Sequence, residues 1–144
     1  MEQLSLQPHP EGGWYRELHR SDVRVQREDG EVRCAFTQIL FLLPAGGISR
    51  WHRVRGADET WQFLGGAPLQ LWQLPPAGGL ATAIWLGPFA LAVVPSNCWQ
   101  AAHSPHGWSL LSCCVAPGFE FKDFELLSDL AQEQHPAGAQ AQWL

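Results

Sequence analysis

The sequence predicts an all-β fold, a barrel or a sandwich. Three observations carry that prediction. Short apolar runs recur along nearly the whole chain, Gly and Pro bound them, and only one stretch near the C-terminus has helical periodicity. Taken in order, WYRELHRS (14–21) alternates loosely as a first strand, and RVQREDGEVR (24–33) carries the hairpin signal Asp29-Gly30. CAFTQILFLL (34–43) follows and stops at the turn PAGG (44–47). ISRWHRV (48–54) and DETWQFLG (58–65) flank a turn at Arg55-Gly56-Ala57. APLQLWQL (67–74) ends at Pro75-Pro76, and ATAIWLG (81–87), ALAVVP (90–95), NCWQAA (97–102) and GWSLLSCCVAP (107–117) complete the strands. In PGFEFKDF, Phe119, Phe121 and Phe124 are expected to pack on the core, with one of them free to close the barrel mouth. One helix is expected over 124–134, capped by Asp123 and carrying a Leu126, Leu127, Leu130 stripe. The Ala/Gly/Gln-rich tail, 135–144, is expected to be loose unless Trp143 docks.

A chain of 144 residues fits one domain, 1–144, with enough length to bury a core without disulfide staples. It is 46% hydrophobic and 16% charged, a lean charged surface that favours a homodimer or other homo-oligomer hiding apolar area. Its eight tryptophans are read mostly as core filling. With 9 basic against 14 acidic residues the net charge is −5, and no Lys/Arg run exists, so a nucleic-acid partner is not expected. No apolar stretch is long enough to span a bilayer, and MEQLSLQPHP has neither a basic start nor an apolar h-region. Cys34, Cys98, Cys113 and Cys114 show no framework spacing, so reduced thiols and a cytoplasmic location are expected.

The chemistry concentrates in GGISRWHRVRGADETWQFLGG (46–66). Strand alternation puts Arg50, His52 and Val54 on one face and Glu59, Trp61 and Phe63 on one face of the next strand. Pairing of the two strands through the 55–57 turn would aim His52 and Glu59 into one interior walled by Trp61 and Phe63. A buried carboxylate beside a buried histidine is costly unless both are satisfied, so such a pair points to function through pKa coupling or metal ligation. HPEGG (9–13) reads as a turn that launches the first strand, on an arm free to lie across a partner subunit. Arg16 and Arg53 are candidate anion contacts, with surface pairing as the plainer role.

The spacing Gly46-x5-His52-x-Val54-x4-Glu59-x6-Gly66 resembles the first motif of the cupin superfamily, and Pro95-Ser-Asn-Cys-Trp-Gln100 resembles a degenerate second motif. HPEGGWYRE (9–17), SRWHRVRGADETWQF (49–63), VPSNCWQAA (94–102) and VAPGFEFKDFEL (115–126) are more specifically similar to a family of small cupins. Those cupins carry HPEGG and VAPGF-x-F-x-DFE motifs and are sometimes labelled predicted sugar epimerases. The resemblance implies a double-stranded β-helix, or jelly-roll barrel, usually dimeric, with a pocket inside it. Cupin metals are commonly held by three histidines and a glutamate, and the matching positions here are His52, Val54, Glu59 and Gln100. Two of the four are strong ligands, so no cofactor is expected; a divalent metal, if one binds, would take His52, Glu59 and Gln100. His103 points to the opposite face of an unbroken strand.

Three functions follow as expectations. The first is a metal-independent isomerase or epimerase on a small polar, sugar-like substrate. His52 would be its base, tuned by Glu59, with Tyr15 as acid if the N-terminal arm reaches the pocket. Ser49, Trp61, Phe63, Gln100, Arg16 and Phe121 are its candidate ligand contacts. The second is a noncatalytic small-molecule binding module. The third is a metal-dependent cupin enzyme of dioxygenase or carboxy-lyase type.

Overall fold

The computed structural model describes residues 4–144, and the fold is built from antiparallel strands in two facing sheets. One sheet contains β1 (Gln7–Pro8), β2 (Trp14–Arg20), β5 (Thr37–Leu43), β12 (Ser109–Ala116), β7 (Asp58–Gly66) and β10 (Leu91–Val94), in that spatial order. The other contains β13 (Phe124–Leu126), β6 (Ile48–Val54), β11 (Trp99–His103), β8 (Leu69–Leu74) and β9 (Thr82–Leu86). The expected Asp29-Gly30 hairpin is present as β3 (Arg24–Gln26) paired with β4 (Val32–Cys34). Among the described residues, no helix is long and apolar enough to cross a membrane.

The barrel is packed solid at one end. Leu43, Leu69, Leu71 and Leu111 are fully buried there with Phe41, Trp61 and Leu86, each such side chain contributing about 1.5–3 kcal/mol by leaving water. The alternation that sends these residues inward sends Trp51, Leu74, Trp99 and Ala101 out of the second sheet, where Leu127 and Trp143 cover them. Trp51, Trp61 and Trp99 therefore fill cores, as expected for most tryptophans, although Trp85 and Trp108 stay half exposed. In the tail, expected to be loose unless Trp143 docks, Trp143 is buried, and its Nε1 donates to Gln140 Oε1 at 2.6 Å.

Three sequence expectations need correction. Residues 124–134 do not form a helix. Phe124–Leu126 is a strand pairing with His52–Val54, followed by 3₁₀ turns at Leu127–Asp129 and Gln132–Gln134. Adjacent Leu126 and Leu127 are both buried on the barrel wall, and edge pairing to β6 outweighs the local helical preference. β6 and β7 also do not pair, because the chain crosses from one sheet to the other at Arg55–Ala57. Finally, β6 is bulged: Gln100 faces His52 while Ala102 faces Ser49, so Arg50 and Trp51 stand against the single residue Ala101. The extra residue breaks the simple alternation and turns both Ser49 and His52 toward the same buried carboxyl group.

Candidate functional site

The other end of the barrel is a pocket. β5 contributes Thr37, Ile39 and Phe41, β6 contributes His52 and Val54, β7 contributes Glu59 and Trp61, and β12 contributes Cys113 and Val115. The N-terminal segment adds His9, Glu11 and Tyr15, and the stretch after β12 adds Phe119, Phe121 and Phe124. Phe41 and Trp61 form the floor, edge to face at 5.6 Å.

The residue that organises the site is Glu11. It is buried; its Oε2 lies 3.2 Å from both His9 Nδ1 and His52 Nε2, and its Oε1 accepts from Ser49 Oγ at 2.8 Å. The following glycines allow this approach. Gly12 (φ +112°) and Gly13 (φ +71°) sit in the left-handed region, and a Cβ on Gly12 would lie 2.3 Å from Ile48 O. Arg50 N donates to Glu11 O, so the HPEGG segment lies across its own barrel and places Glu11 beside His52. The turn expected from HPEGG exists, and it carries Glu11 into the pocket. The signal available in the sequence was a His-x-Glu pair immediately before two consecutive glycines.

His52 Nδ1 donates to Arg50 O at 2.7 Å, since a carbonyl only accepts. The Nε2···Oε2 contact with Glu11 then closes only with a proton between the two atoms. Burial lowers the His52 pKa and outweighs the opposing pull of Glu11, so this proton is weakly held. Burial alone would raise Glu11. The charge of His52 and the hydrogen bonds from His9 and Ser49 overcome it, and Glu11 lies below its ordinary value.

Glu59 is in the reverse condition. It comes from the opposite wall, and His52 takes its ion-pair contact from Glu11 instead, which corrects the expected His52–Glu59 couple. Burial raises the Glu59 pKa to about 8; the negative charge of Glu11 adds to this, and a hydrogen bond from Gln100 partly opposes it. Glu59 is therefore a neutral acid at pH 7, facing the same cavity as the Glu11 anion.

The other sequence candidates separate cleanly. Tyr15 lines the pocket from its own chain, its ring 4.7 Å from that of His9. Trp61 lines it and donates through Nε1 to Gln100 Oε1 at 2.8 Å, while Gln100 Nε2 donates to Glu59. Phe121 lines the mouth and is half exposed. Ser49 acts through Glu11. Phe63 packs against the core below the pocket, and Arg16 lies on the face of β2 opposite Tyr15; neither lines the cavity. Arg53 pairs with Glu125 and covers the Trp99 ring at 4.5 Å. His103 packs at a tilt against the Trp143 ring outside the barrel. Sequence reasoning missed His9, Glu11 and Cys113 as parts of the pocket.

The positions matching the cupin metal set do not fit a metal. Val54 offers no donor, the Gln100 oxygen is taken by Trp61, and His52 spends Nδ1 on a carbonyl and turns Nε2 to Glu11. A protein-bound transition metal wants three or four available donors.

Comparison with known proteins agrees with the barrel. The family model described as "Cupin superfamily (DUF985)" matches residues 1–127. A hypothetical protein from Leishmania major superposes with a TM-score of 0.81 at 32% identity, covering 92% of this chain and 86% of that one. A protein from Shewanella oneidensis does so with a TM-score of 0.77 at 35% identity, covering 92% and 82%. Oxalate decarboxylase from Bacillus subtilis shares the fold alone, with a TM-score of 0.66 at 15% identity over 87% of this chain and 31% of that one. No curated protein matches the chain. Four separated sequence blocks, the two-sheet barrel and the family match converge: the chain belongs to the DUF985 family of the cupin superfamily, and its barrel is a double-stranded β-helix.

Proposed function

We propose that this cupin binds a small polar organic molecule in its barrel and moves a proton on it without a metal, as an isomerase or epimerase does. The observation that carries the reading is two buried carboxyls on one cavity in opposed settings, Glu11 held by His9, His52 and Ser49, and Glu59 held by Gln100 with no cation beside it among the described residues. Environments that push paired titratable groups apart assign a base and an acid. The ionised Glu11 accepts a proton from the carbon next to a carbonyl, with His52 and Ser49 holding its carboxylate in place. As that C–H bond breaks, its electron pair moves to the carbonyl oxygen, and Glu59 supplies the proton or hydrogen bond that the oxygen needs. Return of a proton to the former carbonyl carbon, with the α-hydroxyl giving its proton back to Glu59, gives isomerisation; return to the other face of the α-carbon, with Glu59 retaking its own proton, gives epimerisation, for which Tyr15 is the second donor. Phe41 and Trp61 keep the pocket floor dry, which strengthens both exchanges.

The test is proton exchange in D2O, followed by NMR, with a panel of aldoses, ketoses and α-aminoketones. Deuterium should enter the α-carbon of at least one compound, and Glu11→Gln and Glu59→Gln should abolish the exchange. Exchange that survives both substitutions, or none with any compound, overturns the proposal. The aromatic walls favour a second reading, a noncatalytic receptor, which predicts a ligand that raises the Tm and is recovered without label.

A further inference from the structure

We propose that the ligand is a small organic cation, an amine or methylated ammonium compound; this rests on the barrel pocket being the binding site put forward above. The pocket is rich in carboxyls, and its arginine is already used. Glu11, Glu17, Glu59 and Glu120 line it, and Arg20 is the one Lys or Arg among the described lining residues. The Arg20 guanidinium is spoken for on every side. Its Nε and one terminal nitrogen hold the two Glu17 oxygens at 3.1 and 2.9 Å, and the other terminal nitrogen holds Glu120 Oε1 at 3.1 Å and Phe119 O at 3.0 Å. A phosphate or carboxylate entering here would meet the Glu11 anion and no free arginine fork.

The lining suits a cation in two further respects. Glu59 is more than nine-tenths buried and its Oε2 receives Gln100, whereas its Oε1 has no hydrogen-bond partner among the described residues. The same pocket carries aromatic side chains in two groups. Phe119, Phe121 and Phe124 meet edge to face with centroids 5.0–6.2 Å apart, and the Phe41–Trp61 pair closes the floor. Aromatic faces attract ammonium groups, most strongly in a site shielded from water. The cavity, about 90 Å³, suits a small ligand.

Three probes of one shape and three charges test this at neutral pH and matched ionic strength: butylammonium chloride, 1-butanol and sodium butyrate. Calorimetry and thermal shift should show butylammonium binding at least about tenfold more tightly than the other two. Glu59→Gln should weaken butylammonium about tenfold and leave butanol within about twofold. Butyrate or butanol binding as well as butylammonium overturns the cation inference while leaving the pocket and its proton chemistry standing. Butylammonium binding that is indifferent to Glu59→Gln also overturns it. Binding by none of the three overturns both the inference and the pocket as a binding site.

Discussion

Replacing Glu59 with glutamine removes a titration while keeping the side chain's shape and its capacity to accept from Gln100. The consequence for stability follows from counting protons. Glu59 titrates near 8 in the fold, against an ordinary 4.5. Between those values the folded protein carries a proton that the unfolded chain does not, so stability falls as pH rises and levels off above about 8. At about 1.4 kcal/mol per pH unit, the gap between 4.5 and about 8 amounts to about 5 kcal/mol. Water entering the pocket as Glu59 ionises reduces the expected loss to about 2–5 kcal/mol. Glu59→Gln removes this slope. The assay is urea unfolding of both proteins at a series of pH values from about 5 to about 9 with m held in common. The difference between them cancels every other titrating group. Glu59→Gln should gain on the wild type steadily with pH, then run parallel to it. Parallel curves throughout, or a wild type that gains on the variant as pH rises, would refute a raised Glu59.

Other substitutions probe the rest of the site and fold. Glu11→Ala leaves His52, His9 and Ser49 without their shared partner and should cost about 3 kcal/mol in urea unfolding. Because the folded pKa of Glu11 is lowered, that cost is present above its ordinary 4.5 and disappears as pH falls through its folded value; a pH-independent cost contradicts the ionised state. Zinc or manganese should leave the wild-type Tm unchanged, whereas the double substitution Val54→His with Gln100→His should gain stability on metal addition, read by thermal shift. Trp143→Ala should cost about 3 kcal/mol if the tail is docked against Trp51 and Leu127; a loss below about 0.5 kcal/mol would return it to a loose segment.

The sequence made the strands legible because Gly and Pro bound nearly every one, and Asp29-Gly30 marked its hairpin. It also located the inner wall: His52, Glu59 and Trp61 all face the cavity. What it could not disclose depends on tertiary placement. The β6 bulge is invisible in the letters, yet it turns Ser49 and His52 to the same side. The Leu126, Leu127, Leu130 spacing suits a helix as well as it suits a short strand and a turn, and only the open edge of β6 decides between them. Glu59 was paired with His52 on the assumption that consecutive strands are neighbours, whereas the chain changes sheets at Arg55–Ala57. Glu11 lies far outside the cupin motif along the chain; its partners Ser49 and His52 are 38 and 41 residues away. No local pattern reports a contact of that range.

The most direct measurement is a carboxyl titration by carbon NMR of protein labelled at the glutamate side-chain carboxyl, with Glu11→Gln and Glu59→Gln used to assign the two signals. One buried carboxyl, Glu59, should titrate near 8, and the other, Glu11, should stay ionised down to below 4.5. Two carboxyls titrating together in the ordinary range would contradict the division into an acid and a base on which the proposed proton transfer depends.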